Sequence, residues 1–290
     1  MRRFAFLKLG TVLLTILFLV GTTLPALACY GAAAMGMGGA YTSLATGVLA
    51  IYWNQAGLAF TEELGEASVT VTTPEDYTNY NSFLGAAVKP NERLGLGFGQ
   101  TKLAPWAGNE TWNTFAAGVR LNDQWAVGGA YREIAGVDPE TPNRYRSSGF
   151  DLSAQYRSGM VNLGLLVQDV GGPSESNIYR QNIRPSISLE TDKLTLAIDI
   201  YDASQLKYAL GSEYGDNAHQ VGLEYRPFGK EGSLALRAGF YHDMPYDPPI
   251  AFVHHDVLTL GAGVKVENGF ADLAVIPEWM VVQVTAGVRF

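Results

Sequence analysis

From Gly65 to the C-terminus, apolar and polar residues alternate with a period of two. That is the period of a β-strand, whose successive side chains point to opposite faces, rather than that of a helix. The alternation predicts strands at Gly65–Thr72, Asn81–Lys89, Arg93–Lys102, Thr111–Leu121, Gln124–Ile134, Ser147–Arg157 and Met160–Asp169. It predicts seven more at Gln181–Glu190, Lys193–Tyr201, His219–Pro227, Gly232–His242, Asp256–Val266, Phe270–Ile276 and Met280–Phe290. In the last of these, Met280, Val282, Val284, Ala286, Val288 and Phe290 share one face, while Gln283, Thr285, Gly287 and Arg289 share the other. Lys193–Tyr201 repeats the arrangement, with Leu194, Leu196, Ile198 and Ile200 opposed to Thr195, Ala197 and Asp199.

Short turns such as Pro90-Asn91-Glu92, Asn122-Asp123, Ser158-Gly159 and Thr191-Asp192 alternate with longer polar loops. A transmembrane barrel has this asymmetry, with short turns at the periplasmic end and longer loops outside. Leu206–Tyr214 also alternates weakly, but counting it gives fifteen strands and breaks antiparallel closure. Parity therefore places it in an external loop. The fold class reads as all-β: a transmembrane antiparallel β-barrel of about fourteen strands.

A soluble periplasmic β-protein would alternate in the same way. The distinguishing detail is the second face, where Gly95, Gly97, Gly99, Gly118, Gly128, Gly164, Gly222, Gly261 and Gly263 recur. Glycine weakens a strand and needs a reason. A curved wall with something packed closely inside supplies one. Aromatic residues near predicted strand ends suggest a belt at each membrane interface: Tyr77, Tyr80, Trp106, Trp112, Trp125, Tyr145, Tyr201, Tyr241, Tyr246 and Trp279. Pro277 ends the thirteenth strand, since it offers no donor to the ladder.

Residues 1–28 read as a secretory signal peptide: Arg2, Arg3 and Lys8, an apolar run from Leu9 to Val20, then Ala26-Leu27-Ala28. Cleavage there makes the lone cysteine, Cys29, the first mature residue, and lipidation of Cys29 is the alternative processing route. A single cysteine excludes an intramolecular disulfide. Removing the leader takes the formal net charge from −8 to −11, which argues against nucleic acid as a partner.

Gly36-Met37-Gly38-Gly39-Ala40, followed by Trp53-Asn54-Gln55-Ala56-Gly57-Leu58, resembles the N-terminal signature of outer-membrane barrels of the long-chain fatty-acid transporter (FadL) superfamily, which takes in PorV- and PorQ-type proteins. Val167-Gln168-Asp169-Val170-Gly171-Gly172 and Gly222-Leu223-Glu224-Tyr225-Arg226-Pro227 are similar in style. The usual form reads Asn-Pro-Ala-Gly-Leu, so Gln55 gives up the fixed φ of proline. The resemblance implies a hatch or plug at residues 29–62 ahead of a barrel at 63–290, with Gly36, Gly38, Gly39, Asn54 and Gly57 as its keys. The residues themselves equally allow a segment that merely caps the barrel floor. The C-terminal Phe290 resembles the signal by which the barrel-assembly machinery recognises its clients, and outer-membrane lipid is the other implied partner.

Charges on the inner face form two sets. Lys89, Arg93, Arg120, Arg157, Arg226, Lys265 and Arg289 fall at the periplasmic end and would make a basic collar. Further in lie Arg132, Asp151, Arg184, Asp199, Glu224 and Arg237. Charges inside a barrel must be paired or wet. They therefore either brace the wall as a salt-bridged network or help hold the segment and steer anionic ligands.

No catalytic constellation is legible. The serines show no nucleophile elbow, and His254-His255 lacks metal-site spacing. Gly36-Met37-Gly38-Gly39 is followed by no Lys-Ser/Thr and is not a phosphate loop. The sequence therefore predicts no enzyme, cofactor or metal. The resemblance implies a barrel that binds or passes small hydrophobic, fatty-acid-like molecules. A non-conducting accessory barrel of a PorV-like secretion or surface-assembly system, with secretion-system proteins as partners, is the alternative.

Overall fold

The computed structural model describes residues 30–73, 80–103, 109–137, 143–171, 176, 181–200, 219–242, 256–278 and 280–290. Among them are β1 (Gly65–Thr72), β2 (Asn81–Asn91), β3 (Leu94–Lys102), β4 (Thr111–Arg120), β5 (Trp125–Val137), β6 (Arg144–Ser158) and β7 (Val161–Gln168). They are followed by β8 (Asn182–Glu190), β9 (Leu194–Ile200), β10 (His219–Tyr225), β11 (Leu234–His242), β12 (Val257–Val266), β13 (Gly269–Ile276) and β14 (Val281–Arg289). Each strand is paired antiparallel with its sequence neighbour, and β1 pairs with β14 from Glu66↔Arg289 to Thr72↔Gln283. The sheet is therefore a closed barrel of fourteen strands. β9 is bonded directly to β10, so no strand intervenes between them; residues 206–214 lie outside the described residues.

Strand limits depart from the alternation where side chains or ladder bonds override it. β2 continues through Pro90 to Asn91, with a register shift between Val88 and Asn91. The turn falls one residue later because Asn91 Oδ1 accepts from the backbone N–H of Arg93 (2.9 Å) and Leu94 (3.0 Å), an Asx turn. Arg93 thus sits in the turn and not at the head of β3. β5 and β6 run on as a paired hairpin as far as Val137↔Arg144, beyond the predicted Ile134 and Ser147.

The polarity of the two faces decides the environment. Outward residues such as Leu84, Leu96, Phe115, Leu152, Ile187 and Leu260 are 39–58% exposed, whereas inward Thr70, Gln155, Asp199, Thr259 and Gln283 are wholly buried. A soluble sandwich would have these faces reversed. With hydrocarbon outside, every backbone group must be satisfied internally, and a closed barrel achieves this with strands. The soluble reading is excluded.

Trp125 and Tyr156 stack on the outer face near the short-turn end, with ring centroids 4.8 Å apart. Tyr80 is exposed at the opposite end. Trp112, Tyr145 and Tyr241 depart from the expected belt. Trp112 and Tyr241 are 2% and 0% exposed, and the Tyr145 hydroxyl bonds to Glu110. Their strand parity turns them inward. Tyr77, Trp106, Tyr201, Tyr246, Trp279, the leader, Cys29, His254 and His255 lie outside the described residues.

Candidate functional site

Residues 30–60 contain two short helices, Ala32–Gly36 and Ala50–Trp53, and two 3-10 turns, Gly47–Leu49 and Gln55–Phe60. Helices of four and five residues do not persist alone. The wall holds these. As far as Ser43 the segment winds round the inside of the barrel in reverse strand order; it then crosses to β1 and β2 at Val48 and returns to β6 to β3 with Gln55–Leu58. Ala32–Gly36 packs on β11 to β14. Gly38 and Gly39 meet Phe240 and Gln220 of β11 and β10, Tyr41 and Thr42 reach Asp199 of β9, and Ser43 reaches Ser186 of β8. Thr42 and Ser43 cover Gly164 of β7, and Ala56 reaches Ser153 of β6. Gln55–Leu58 then cover Gly128, Gly118 and Gly95 of β5, β4 and β3, while Val48 touches Gly85 of β2 and Glu66 of β1. The segment touches every strand.

The inward glycines are thus contact surfaces. A Cβ on Gly118 would lie 2.5 Å from the Gln55 carbonyl oxygen, and one on Gly222 would lie 2.5 Å from that of Met37. Backbone packs directly on backbone. On the segment side, Gly38 combines a φ of +64° with a would-be Cβ 2.6 Å from the Phe240 nitrogen, so it needs glycine twice over. Gly39 also has positive φ (+76°), and Gly36 lies against Gly261 and Arg237. Asn54 is fully buried. Its Nδ2 donates to the carbonyls of Thr42 (3.0 Å) and Ala154 (3.1 Å), and its Oδ1 accepts from Ala56 N (3.2 Å). Asn54 and Gly57 therefore sit at β4–β6, while Gly36, Gly38 and Gly39 sit at β10–β12.

Sequence reasoning missed the wall's anchors. Thr285 Oγ1 accepts from Ala32 N (2.9 Å), and Thr259 Oγ1 accepts from Gly38 N (3.1 Å). Gln155 Nε2 donates to Ser43 O (2.7 Å), and Glu66 Oε1 accepts from Val48 N (3.1 Å). Each is a polar side chain at an inward strand position, and that placement was the available signal.

The collar residues lie at the short-turn end, most of them with partners. Lys89 Nζ donates to Thr61 O (3.0 Å) and pairs with Glu92 (3.5 Å). Arg120 pairs with Asp123 (3.6 Å), and its guanidinium lies over the Phe60 ring, as does that of Arg157. Arg226 bridges Glu190 and Glu224, each at 3.2 Å, and Arg289 bridges Glu63 and Glu66, each at 3.3 Å. Arg93 and Lys265 are exposed.

Deeper charges are paired more tightly. Arg237 lies between Glu224 and Asp272, at 2.6 Å from each. Arg132 and Asp151 form a wholly buried pair at 2.7 Å, and the guanidinium lies over Tyr52 and Trp112. Arg184 lies over Trp53. Asp199 accepts from the amides of Tyr41 (3.2 Å) and Thr42 (2.9 Å) and from the Ser186 hydroxyl.

No protein-family model matches the sequence, and no curated protein matches it. Solved structures match the fold. A FadL homologue of Pseudomonas aeruginosa superposes with a TM-score of 0.59 and 14% identity, over 93% of this chain and 100% of that one. The toluene transporter TodX of Pseudomonas putida gives 0.59 and 12%, over 92% and 98%. The monoaromatic hydrocarbon channel CymD gives 0.59 and 13%, over 91% and 99%.

The fold is that of the FadL-type outer-membrane barrels. Closure, lipid-facing polarity and this fold together place the chain in the bacterial outer membrane, in contact with its lipid. Gln55 stands where the signature that this stretch resembles has proline. It is buried, and its Nε2 donates to Ile51 O (3.2 Å), so a local hydrogen bond holds the turn.

Proposed function

We propose that this barrel binds or passes small hydrophobic molecules, with the segment from Tyr30 to Thr61 as its hatch. The observation that carries the reading is the winding contact of that segment with all fourteen strands. Because the wall is continuous, a molecule crossing the lumen must move or thread past it. Tyr30 and Tyr52 of the segment pack with Phe83 and Trp112 of the wall, with Tyr30–Tyr52 and Tyr30–Phe83 centroids at 4.8 and 5.9 Å, so movement of the hatch there would uncover an aromatic lining. The hydrocarbon channel and toluene transporter of the same fold support the apolar substrate class. On this reading the chain is no enzyme. The collar arginines brace the hatch from below, and Arg157, over Phe60 and 3.5 Å from Leu44 O, is placed to meet a carboxylate. The barrel-assembly machinery inserts the chain.

A second reading, the non-conducting accessory barrel working with secretion-system proteins, is favoured by the completeness of the filling: Tyr30, Met35, Ile51 and Trp53 are all at most 1% exposed. A reversible lock separates the two. Ser43 and Ser186 hydroxyls lie 2.8 Å apart, so Ser43→Cys with Ser186→Cys, in a Cys29→Ser background, ties hatch to wall. Proteoliposomes should take up a fluorescent fatty acid when this disulfide is reduced and stop when it is oxidised. No uptake in either state, with an intact barrel, would transfer the weight to the accessory role.

A further inference from the structure

The wall formed by β4 and β5 is thinnest where Ala116, Ala117 and Gly118 pair with Ala130, Gly129 and Gly128. No side chain there exceeds a methyl on either face, yet the ladder is unbroken from β3 to β6, so the site is a hollow and not a hole. On the lipid side the hollow has a volume of about 510 Å³. Ala117 and Gly129 form its floor. Phe115, Tyr131 and Phe150, which share one row across β4, β5 and β6, form a rim along one side, and Leu96 and Leu152, in the same row as the floor on β3 and β6, close its two ends. Tyr131 and Phe150 stack at 5.1 Å, which makes that rim a rigid ridge. The charged lining residue, Asp151, turns its carboxylate to the other side of the wall, where Arg132 holds it.

We propose that this hollow is a binding groove for one acyl chain of an outer-membrane lipid. The inference rests on the membrane location and not on hydrophobic uptake through the lumen. An outward face at mid-strand meets hydrocarbon, and a lining without an available hydrogen-bonding side chain other than the Tyr131 hydroxyl selects an apolar occupant. Size argues for a single chain: eleven residues line the hollow, against about 20–30 on each side of a stable protein interface. Small residues on the floor let the chain approach the backbone, where dispersion contacts are densest, and the aromatic ridge restricts its sliding.

The test is native mass spectrometry of the full barrel released from nanodiscs of palmitoyl-oleoyl phosphatidylethanolamine. Wild-type protein should keep one lipid after detergent exchange, and Ala117→Leu, which fills the floor from the outside, should lower that retention about fivefold or more, the effect of an overpacking cost of about 1–3 kcal/mol. Val264→Leu, exposed on the lipid face of β12, should keep it. Ala117→Val gives a second, smaller filling change should Ala117→Leu fail to fold. Equal lipid retention by wild type and filled variants, or a dimer that Ala117→Leu dissolves, would overturn the assignment. Fatty-acid uptake measured on the same variants should not change, so loss of the groove and loss of the transport reading are separable.

Discussion

A Cβ added at residue 57 would land on the carbonyl oxygen of Ala45, with no flexible side chain to give way. Gly57→Val should therefore cost at least about 1–3 kcal/mol, read as a lower urea midpoint and as protease sensitivity between residues 41 and 60. The Arg132–Asp151 pair makes a sharper case, because both side chains are 0% exposed. Asp151→Ala should destabilise by about 3–5 kcal/mol, since it strands a buried guanidinium, whereas Arg132→Met with Asp151→Leu should recover much of the loss. At this scale the motif singled out Asn54 and Gly57 but not their contacts: Asn54 reaches Thr42 and Ala154, 12 and 100 residues away, and Gly57 lies against Ala45. Asp272 and Glu66 were not legible. Their partners, Arg237 and Arg289, stand 35 and 223 residues away.

Elements here support one another across the lumen. The turn after Gly39 is fastened to β9 by Asp199, which takes two backbone amides of the segment and the Ser186 hydroxyl. Asp199→Ala orphans the two amides, at about 1–3 kcal/mol for each that stays buried, while the Ser186 hydroxyl keeps the Ser43 hydroxyl as a partner. Hydrogen exchange at Tyr41 and Thr42 should then rise by about tenfold or more while β1–β14 stay protected, since local opening draws on local contacts. Asp199→Asn keeps one acceptor oxygen and should give a smaller rise. Equal exchange in all three proteins would remove Asp199 from the anchoring role. Strand positions could be read in advance because turns such as Asn122-Asp123 are local: Asn122 Oδ1 accepts from Gln124 N and Trp125 N within the turn itself. The segment's helices carry no such signal, being small and apolar throughout.

For the whole molecule, the filled lumen sets the expectation for conductance. Wild-type barrels in planar bilayers should pass little ionic current. A chain lacking residues 30–61 should either form an ion-conducting pore lined by glycine, serine and threonine or lose its resistance to heating in SDS. Current from the wild type equal to that of the deletion would mean that the segment does not obstruct the lumen. The seam between β1 and β14 joins the two ends of the barrel, with Glu66 opposite Arg289 at its rim. Arg289→Ala should lower the SDS melting temperature modestly, because that side chain also lies over Phe270 and reaches the exposed margin near Glu63.

The sequence by itself determined the number of strands, which face of each meets lipid, closure of the barrel, and the presence of small residues along its inner wall. Those properties depend on a period of two, on parity and on turns a few residues long, all of which are local. Only the tertiary structure decided which wall residue meets which part of the segment, which carboxylate each collar arginine finds, and that Trp112, Tyr145 and Tyr241 turn inward. It also decided where the outer hollow lies. These depend on the register between strands and on the path of a segment with no period of its own. Both are fixed by contacts between residues far apart in the chain.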